Sequence, residues 1–231
     1  MAIGAVLFDV DETLYDRVLA QRQVLQRLPA GLPEIFGDVG VEALQAAWQD
    51  SDRETTEHKY TVDDIRASRN VRSALFLRLL GLSARHTDAV TRFYVETYPT
   101  IAAPIEHAVS TVAACATKLP VGVVSNSYPD VQYSKLETLG VRHLFRCIVL
   151  SEEYGGPRKP AADIFLRGCE LLDTPPAATL YVGDSFGNDV IGAQGAGLLA
   201  CWYNPQSLPA PAGSAPPQYE LQSLRDLPQL L

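Results

Sequence analysis

Gly4-Ala5-Val6-Leu7-Phe8-Asp9-Val10-Asp11-Glu12-Thr13-Leu14 decides how this chain is read. A short apolar run ends abruptly in Asp9, and a second carboxylate, Asp11, follows two positions later. Continuous apolar runs bounded by polar turns fit strands buried on both faces, as in a parallel sheet. Similar runs recur at 120–124, 147–150 and 179–183, and a fifth follows at 198–203. Segments of helical length separate them, at 104–117, 129–139, 160–172 and 186–196. Such alternation predicts right-handed crossovers and an α/β fold built on a doubly wound parallel sheet.

The block from 16 to 99 breaks this rhythm. It has no comparable apolar run, but it does have helical spacing. Val41, Leu44 and Trp48 share one helical face, as do Val90, Phe93 and Thr97. The stretch 71–80 reads as a strong helix closed by Gly81. Pro29 to Pro33 and Gly37 to Gly40 read as turns. The expectation is a helical domain at 16–99 inserted into a core formed by 1–15 and 100–231. Beyond the fifth strand, Pro205, Pro209, Pro211, Pro216 and Pro217 mark an irregular loop, followed by a short final helix around 220–227.

Four places carry chemistry, each with an ordinary alternative. Asp9 and Asp11 repel each other unless a cation lies between them; otherwise the stretch is a solvated turn with Thr13 as a helix cap. Ser125-Asn126-Ser127 follows the second strand and suits contacts to phosphate oxygens, but on its own it reads as an ordinary helix N-cap before Pro129. Lys159, in Gly155-Gly156-Pro157-Arg158-Lys159-Pro160, opens a helix whose dipole it opposes. That points to an anionic partner, or to a plain surface lysine. Gly183-Asp184-Ser185-Phe186-Gly187-Asn188-Asp189 places two more carboxylates after a strand, either as oxygen ligands of the kind Mg²⁺ takes or as a capped helix start.

Taken in order, Asp9-Val10-Asp11-Glu12-Thr13, Ser125, Lys159 and Gly183-Asp184-Ser185 with Asn188-Asp189 resemble the four motifs of the haloacid dehalogenase superfamily. The resemblance spans residues 4 to about 203, with the helical block where that family carries its cap. It implies a Rossmann-like core, a helical cap and Mg²⁺-dependent phosphoryl transfer through an aspartyl-phosphate. Asp9 is then the nucleophile, and Asp11 the general acid and base, its carbonyl also ligating the metal. Lys159 balances charge. Thr13, Ser125 and the backbone N–H of Asn126 contact the phosphate. Asp184 is a metal ligand, and Asp189 orients the site or ligates in turn. The lysine segment is one residue longer than the family's commoner form, and Glu12 stands where a small residue or Asp is common.

Asp11 favours a phosphatase over a 2-haloacid dehalogenase, since a halide leaving group needs no proton. A non-catalytic phospho-ligand binder on the same fold is the third reading, and it has no use for a general acid. The expected substrate is a small phosphorylated metabolite, with His58, Lys59, Tyr60, Arg66, Arg69 and Arg72 as specificity candidates in the cap. Tyr15, Asp16 and Arg17 sit at its entry. Phe8 to Leu14 also resembles the corresponding stretch of some nucleotidases.

The bulk numbers set outer limits. Of the net charge of −8, the block 16–100 carries −1 and the remainder −7. That balance argues against a nucleic-acid groove and a polybasic membrane patch. It also fits Asp9, Asp11, Asp184 and Asp189 gathering around a divalent cation. Cys115, Cys147, Cys169 and Cys201 form no CxxC pair and read as free buried thiols. No basic N-terminal region precedes an apolar stretch, so the expected location is cytoplasmic. Oligomeric state is left open.

Overall fold

The first strand, β1 (Ala5–Phe8), is buried along its whole length in a computed structural model that describes residues 2–57, 65–153 and 156–231. The chain divides into two compact units, Met1–Arg17 with Ala102–Leu231, and Val18–Ile101. His58, Lys59, Tyr60 and Gly155 lie outside the described residues, as does the side chain of Arg66.

The first unit holds a sheet of six parallel strands in the order β3-β2-β1-β4-β5-β6. These are β1, β2 (Val121–Ser125), β3 (Cys147–Leu150), β4 (Thr179–Gly183), β5 (Leu199–Tyr203) and β6 (Tyr219–Leu221). The five apolar runs of the sequence supply the first five, and Val6 pairs with Val121 on one side and Leu180 on the other. The strand order reverses between β1 and β4, the point at which open parallel sheets bind ligands beyond their carboxyl ends. Leu7, Val124, Val149, Phe165, Tyr181, Val190 and Trp202 belong to one buried cluster. Fully burying a side chain of that size is worth about 1.5–3 kcal/mol. This is the Rossmann-like, doubly wound architecture expected.

Several boundaries differ from the sequence reading. The helix expected from 104, α6 (Ala108–Ala116), begins only at Ala108. Pro104 forms a bridge with Tyr15, and the Ile105 N–H donates to the Leu14 carbonyl at 3.0 Å, so the chain stays extended there. The expected helix at 220–227 is in part strand β6, followed by a short 3₁₀ segment, Leu224–Gln229. Exposed Glu220 between half-buried Tyr219 and buried Leu221 gives the period of two that an edge strand shows. The segment expected as one helix over 186–196 is a wide π-type turn, Phe186–Val190, running into a short α-helix, Ile191–Gly195. Single π turns of this kind recur at functional sites.

The second unit is helical: α1 (Arg17–Gly31), α2 (Pro33–Phe36), α3 (Val41–Glu57), α4 (Ile65–Leu79) and α5 (Thr87–Thr97). Gly81 closes α4 with φ +69°, the left-handed conformation that glycine adopts without penalty. Pro29 lies inside α1 rather than in the expected turn. The last turn survives because the Leu32 N–H still reaches the Leu28 carbonyl at 2.8 Å. The inner face of α5 is Val90, Thr91 and Tyr94, not Val90, Phe93 and Thr97. Tyr94 stacks on Trp48 with ring centroids 4.5 Å apart, and Phe93 fills the space a Cβ at Gly31 would take. Arg72, a specificity candidate, lies over the Trp48 and Tyr94 rings at 4.4 and 4.6 Å and pairs with Asp52 at 3.3 Å. It is built into the packing of this unit. Among the described residues no helix is long and apolar enough to cross a membrane.

Candidate active site

Asp9, Ser125 and Asp184 lie at or directly after the carboxyl ends of β1, β2 and β4, and Lys159 lies in the segment that follows β3. The Asp9 N–H donates to the Val182 carbonyl at 2.9 Å, which carries the β1–β4 ladder one residue past the strand. The chain then closes on itself. The N–H groups of Thr13, Leu14 and Tyr15 all reach the Val10 carbonyl, at 3.3, 2.8 and 2.9 Å. Glu12 takes up the turn with φ +60°, a left-handed conformation that costs a non-glycine residue about 1–2 kcal/mol. That is the structural context of the unusual Glu12. Ser125 ends β2, and Gly183 ends β4, with Asp184 directly after it.

Lys159 is the hub. It is 6% exposed, and its ammonium donates to Asp9 Oδ1 at 2.7 Å, Asp189 Oδ1 at 2.7 Å and the Tyr181 hydroxyl at 2.9 Å. An ammonium has three donors, and here three acceptors take them. The Tyr181 hydroxyl in turn donates to the Val124 carbonyl at 2.8 Å. Asn126 fixes the lysine backbone from both sides: its Oδ1 accepts from the Lys159 N–H at 2.7 Å, and its Nδ2 donates to the Lys159 carbonyl at 3.0 Å. Arg158 turns away and pairs with Glu152, so Lys159 is the residue of the longer segment that reaches the carboxylates.

Asp9, Asp184 and Asp189 bring carboxylate oxygens within 4.8 Å of one another. Asp189 is 1% exposed, and its second oxygen accepts from the Ser185 N–H at 2.9 Å. Both of its oxygens therefore already have protein donors. Asp184 is half-buried, accepts from the Thr13 hydroxyl at 3.3 Å, and has its carbonyl held by the Trp202 indole N–H at 2.8 Å. Gly183 is required next to this group. A Cβ there would lie 2.7 Å from the Cβ of Asp189 and closer still to its carboxylate. Gly183→Ala is expected to destabilise the fold by about 1–3 kcal/mol, the usual range for overpacking. A chemical-denaturation midpoint equal to that of the parent protein would refute this.

The electrostatics of the group are unbalanced. Burial raises the Asp9 carboxyl to about 6, in spite of Lys159, with Asp189 adding to the rise. Burial, then Asp9 and Asp189, raise Asp184 to about 7. Burial alone would weaken the Lys159 ammonium, but Asp189 and Asp9 outweigh it and hold its pKa above the usual lysine range. Three clustered carboxylates face one ammonium. An all-oxygen donor set with surplus negative charge fits a hard divalent cation such as Mg²⁺.

The other expected residues are also at these strand ends. Ser125 is buried and its Oγ accepts from Gln132 Nε2 at 2.9 Å. The Asp11 carboxylate stands apart from the three-carboxylate group and accepts from the Lys135 ammonium at 2.6 Å. Of the residues at the expected cap entry, Tyr15 is fully buried, and Arg17 pairs with Glu12 at 3.7 Å.

Sequence reasoning missed Tyr181, Gln132 and Lys135. Tyr181 carried a readable signal: a hydroxyl in the middle of an otherwise apolar buried strand must find a partner. Gln132 and Lys135 are three apart on α7 (Pro129–Thr138), on the face shared with Val131 and Leu136. A polar pair in register with an apolar stripe was the available signal.

Comparison with known proteins places this geometry in context. The family model of haloacid dehalogenase-like hydrolases matches residues 3–197. Pyrimidine 5'-nucleotidase YjjG of Escherichia coli is 34% identical over 60% of this chain, and the match spans 61% of that protein. Glyceraldehyde 3-phosphate phosphatase of Methanopyrus kandleri is 30% identical over 85% of this chain and 82% of its own length. The magnesium-bound structure of the HAD hydrolase YfnB from Bacillus subtilis superposes with a TM-score of 0.81 at 26% identity, covering 100% of this chain and 99% of that one. A 2-haloacid dehalogenase from Pseudomonas syringae pv. Tomato DC3000 gives 0.69 at 26% identity, covering 99% and 97%. With the family model spanning most of its length and the four motifs gathered at one end of the sheet, the chain belongs to the haloacid dehalogenase-like hydrolases.

Proposed function

We propose that this hydrolase is a Mg²⁺-dependent phosphatase that cleaves a small phosphorylated metabolite through an aspartyl-phosphate on Asp9. The observation that carries the reading is the buried cluster of three carboxylates against one ammonium, beside a further carboxylate, Asp11. In the proposed reaction an Asp9 oxygen attacks phosphorus, and the bond from phosphorus to the leaving oxygen breaks. Asp11 hands that oxygen a proton. Water then attacks the phosphorus of the Asp9 phosphate, Asp11 takes the water's proton, and the Asp9 carboxylate is restored. Lys159 offsets the charge gathered at Asp9. The Thr13 and Ser125 hydroxyls and the Asn126 backbone N–H contact phosphoryl oxygens.

The cation would be held by Asp9, Asp184 and the carbonyl of Asp11, with Asp189 holding Lys159. When bound, it supplies positive charge that lets a phosphate dianion approach a carboxylate. Asp11 is what separates this reading from a dehalogenase, because only an alkoxide leaving group needs its proton. The helical unit Val18–Ile101 is assigned the role of a cap that selects the ester. The relatives named for a pyrimidine nucleotide and for glyceraldehyde 3-phosphate support nucleoside monophosphates and triose phosphates as the first esters to try. A cytoplasmic setting is part of the proposal and agrees with four buried free cysteines.

The test is phosphate release from nucleoside 5'-monophosphates, sugar phosphates and phosphoglycolate, with Mg²⁺ and with EDTA, next to halide release from a 2-haloacid. Turnover of at least one ester that EDTA abolishes is expected. Halide release without phosphate release would replace the reading.

A pH dependence follows from the raised carboxyls. With Asp9 at about 6 and Asp184 at about 7, the folded metal-free protein holds protons that the unfolded chain releases near 3.8. Stability of the metal-free protein therefore rises as pH falls from about 8 toward about 5. Mg²⁺ must displace those protons, so it should raise Tm more at pH 8 than at pH 5.5. Equal Mg²⁺ shifts at both pH values in scanning calorimetry would contradict this.

A further inference from the structure

The buried face of α7 is half polar: Val131 and Leu136 share it with Gln132 and Lys135. Gln132 is fully buried and is spent on the end of β2, donating to Ser125 Oγ at 2.9 Å and accepting from Ser127 Oγ at 3.1 Å. Lys135, three residues on, is 2% exposed and donates to Asp11 Oδ1 at 2.6 Å. Its ammonium lies 5.1 Å from the centre of the Tyr15 ring. Packing alone gives α7 no reason for a cation here, since burying an ammonium is costly and an aliphatic side chain would fill the same space. Asp11 does need a restraint. It sits in a tight loop beside Asp9, whose carboxylate repels its own.

We propose that Lys135 is a positioning residue for the reaction: it holds the Asp11 carboxylate at the phosphoryl group, ready for proton transfer. The role rests on the phosphatase reading, because it acts through Asp11. It requires no change of bonding at Lys135. The lysine fixes where the Asp11 oxygens stand while Asp11 gives a proton to the leaving oxygen and later takes one from water.

The test uses the full chain with Mg²⁺ and p-nitrophenyl phosphate in a rapid mixer. Nitrophenolate leaves without a proton, so the first half-reaction does not need Asp11. Lys135→Met should therefore give a burst of one nitrophenolate per enzyme. Steady turnover should then be slower by on the order of 10²-fold, the range of a lost acid–base group, with KM falling alongside kcat so that kcat/KM, set by the first half-reaction, changes little. Lys135→Arg, which keeps the charge, should recover most of the turnover. If Lys135 works through Asp11, Lys135→Met should add nothing to the loss caused by Asp11→Asn.

A kcat of Lys135→Met close to that of the parent overturns the proposal, as do losses that multiply in the double variant. Circular-dichroism melts accompany each assay. If Lys135→Met melts below assay temperature, Lys135→Gln takes its place, and unfolding of both makes the lysine structural and ends the proposal. Asp9→Asn separates the two levels. Turnover surviving in Asp9→Asn removes the phosphatase reading and this role with it. A dead Asp9→Asn beside a normal Lys135→Met removes only the role.

Discussion

Asp9→Asn is expected to lose at least about 10⁴-fold in kcat on any phosphate ester the protein turns over, as removal of a covalent nucleophile does. The fold should survive it. Asparagine has the shape of the protonated carboxyl, its amide oxygen can still accept from Lys159, and the lysine keeps Asp189 Oδ1 and the Tyr181 hydroxyl. Stability should even improve without metal. Asp9 is a buried acid raised to about 6, so at pH 8 its ionised form strains the fold, and the neutral amide removes that strain. Asp9 is also the second cause of the raised Asp184 carboxyl, after burial, so Asp184 should titrate lower in the variant. The expected pair of results is no phosphate release and a metal-free Tm at pH 8 equal to or above that of the parent. Retained turnover would remove Asp9 as nucleophile. A lower Tm would show that the Lys159–Asp9 pair stabilises more than burial of Asp9 costs.

The strand ends were legible in the sequence because the physics there is local. A run such as Ala5 to Phe8, buried on both faces, has to be apolar throughout, and the first carboxylate after it has to mark the edge. The sequence alone therefore places Asp9, Ser125 and Asp184. What holds them was not legible, because it depends on residues far apart in the chain. Asn126 clamps Lys159 across 33 positions, and Lys135 reaches Asp11 across 124. A lysine on a helix reads as a solvated residue until the helix is docked. The same limit hid β6, since three residues with period two acquire meaning only against the free edge of β5. It also misjudged Arg72, which reads as an exposed cation but lies over the Trp48 and Tyr94 rings.

Lys159→Met should be the most destabilising single change at the site. Among the described residues the ammonium is the one cation paired with the clustered carboxylates, and it satisfies Asp9, Asp189 and Tyr181 together. Methionine fills the volume and leaves those acceptors buried without their donor. Breaking a buried ion pair from one side costs about 3–5 kcal/mol. At about 2–4 °C per kcal/mol for a chain of this size, Tm should fall by about 6–20 °C at pH 8. The loss should shrink on acidification. Without Lys159 the Asp9 carboxyl loses the charge that opposed its burial, so its pKa rises further above that of the unfolded chain. The folded state then binds more protons than the unfolded one over a wider range, and stability recovers as pH falls toward 5. Lys159→Arg should restore little, because a planar fork does not match three acceptors arranged around a single nitrogen. Mg²⁺ should recover part of the Tm through binding to the folded state, but not the activity, since the charge opposite Asp9 is missing. Thermal melts of the three proteins in EDTA at pH 8 and 5.5, then with Mg²⁺, decide the matter. A Lys159→Met melt at pH 8 that matches the parent would mean that the three carboxylates do not depend on the lysine for their burial.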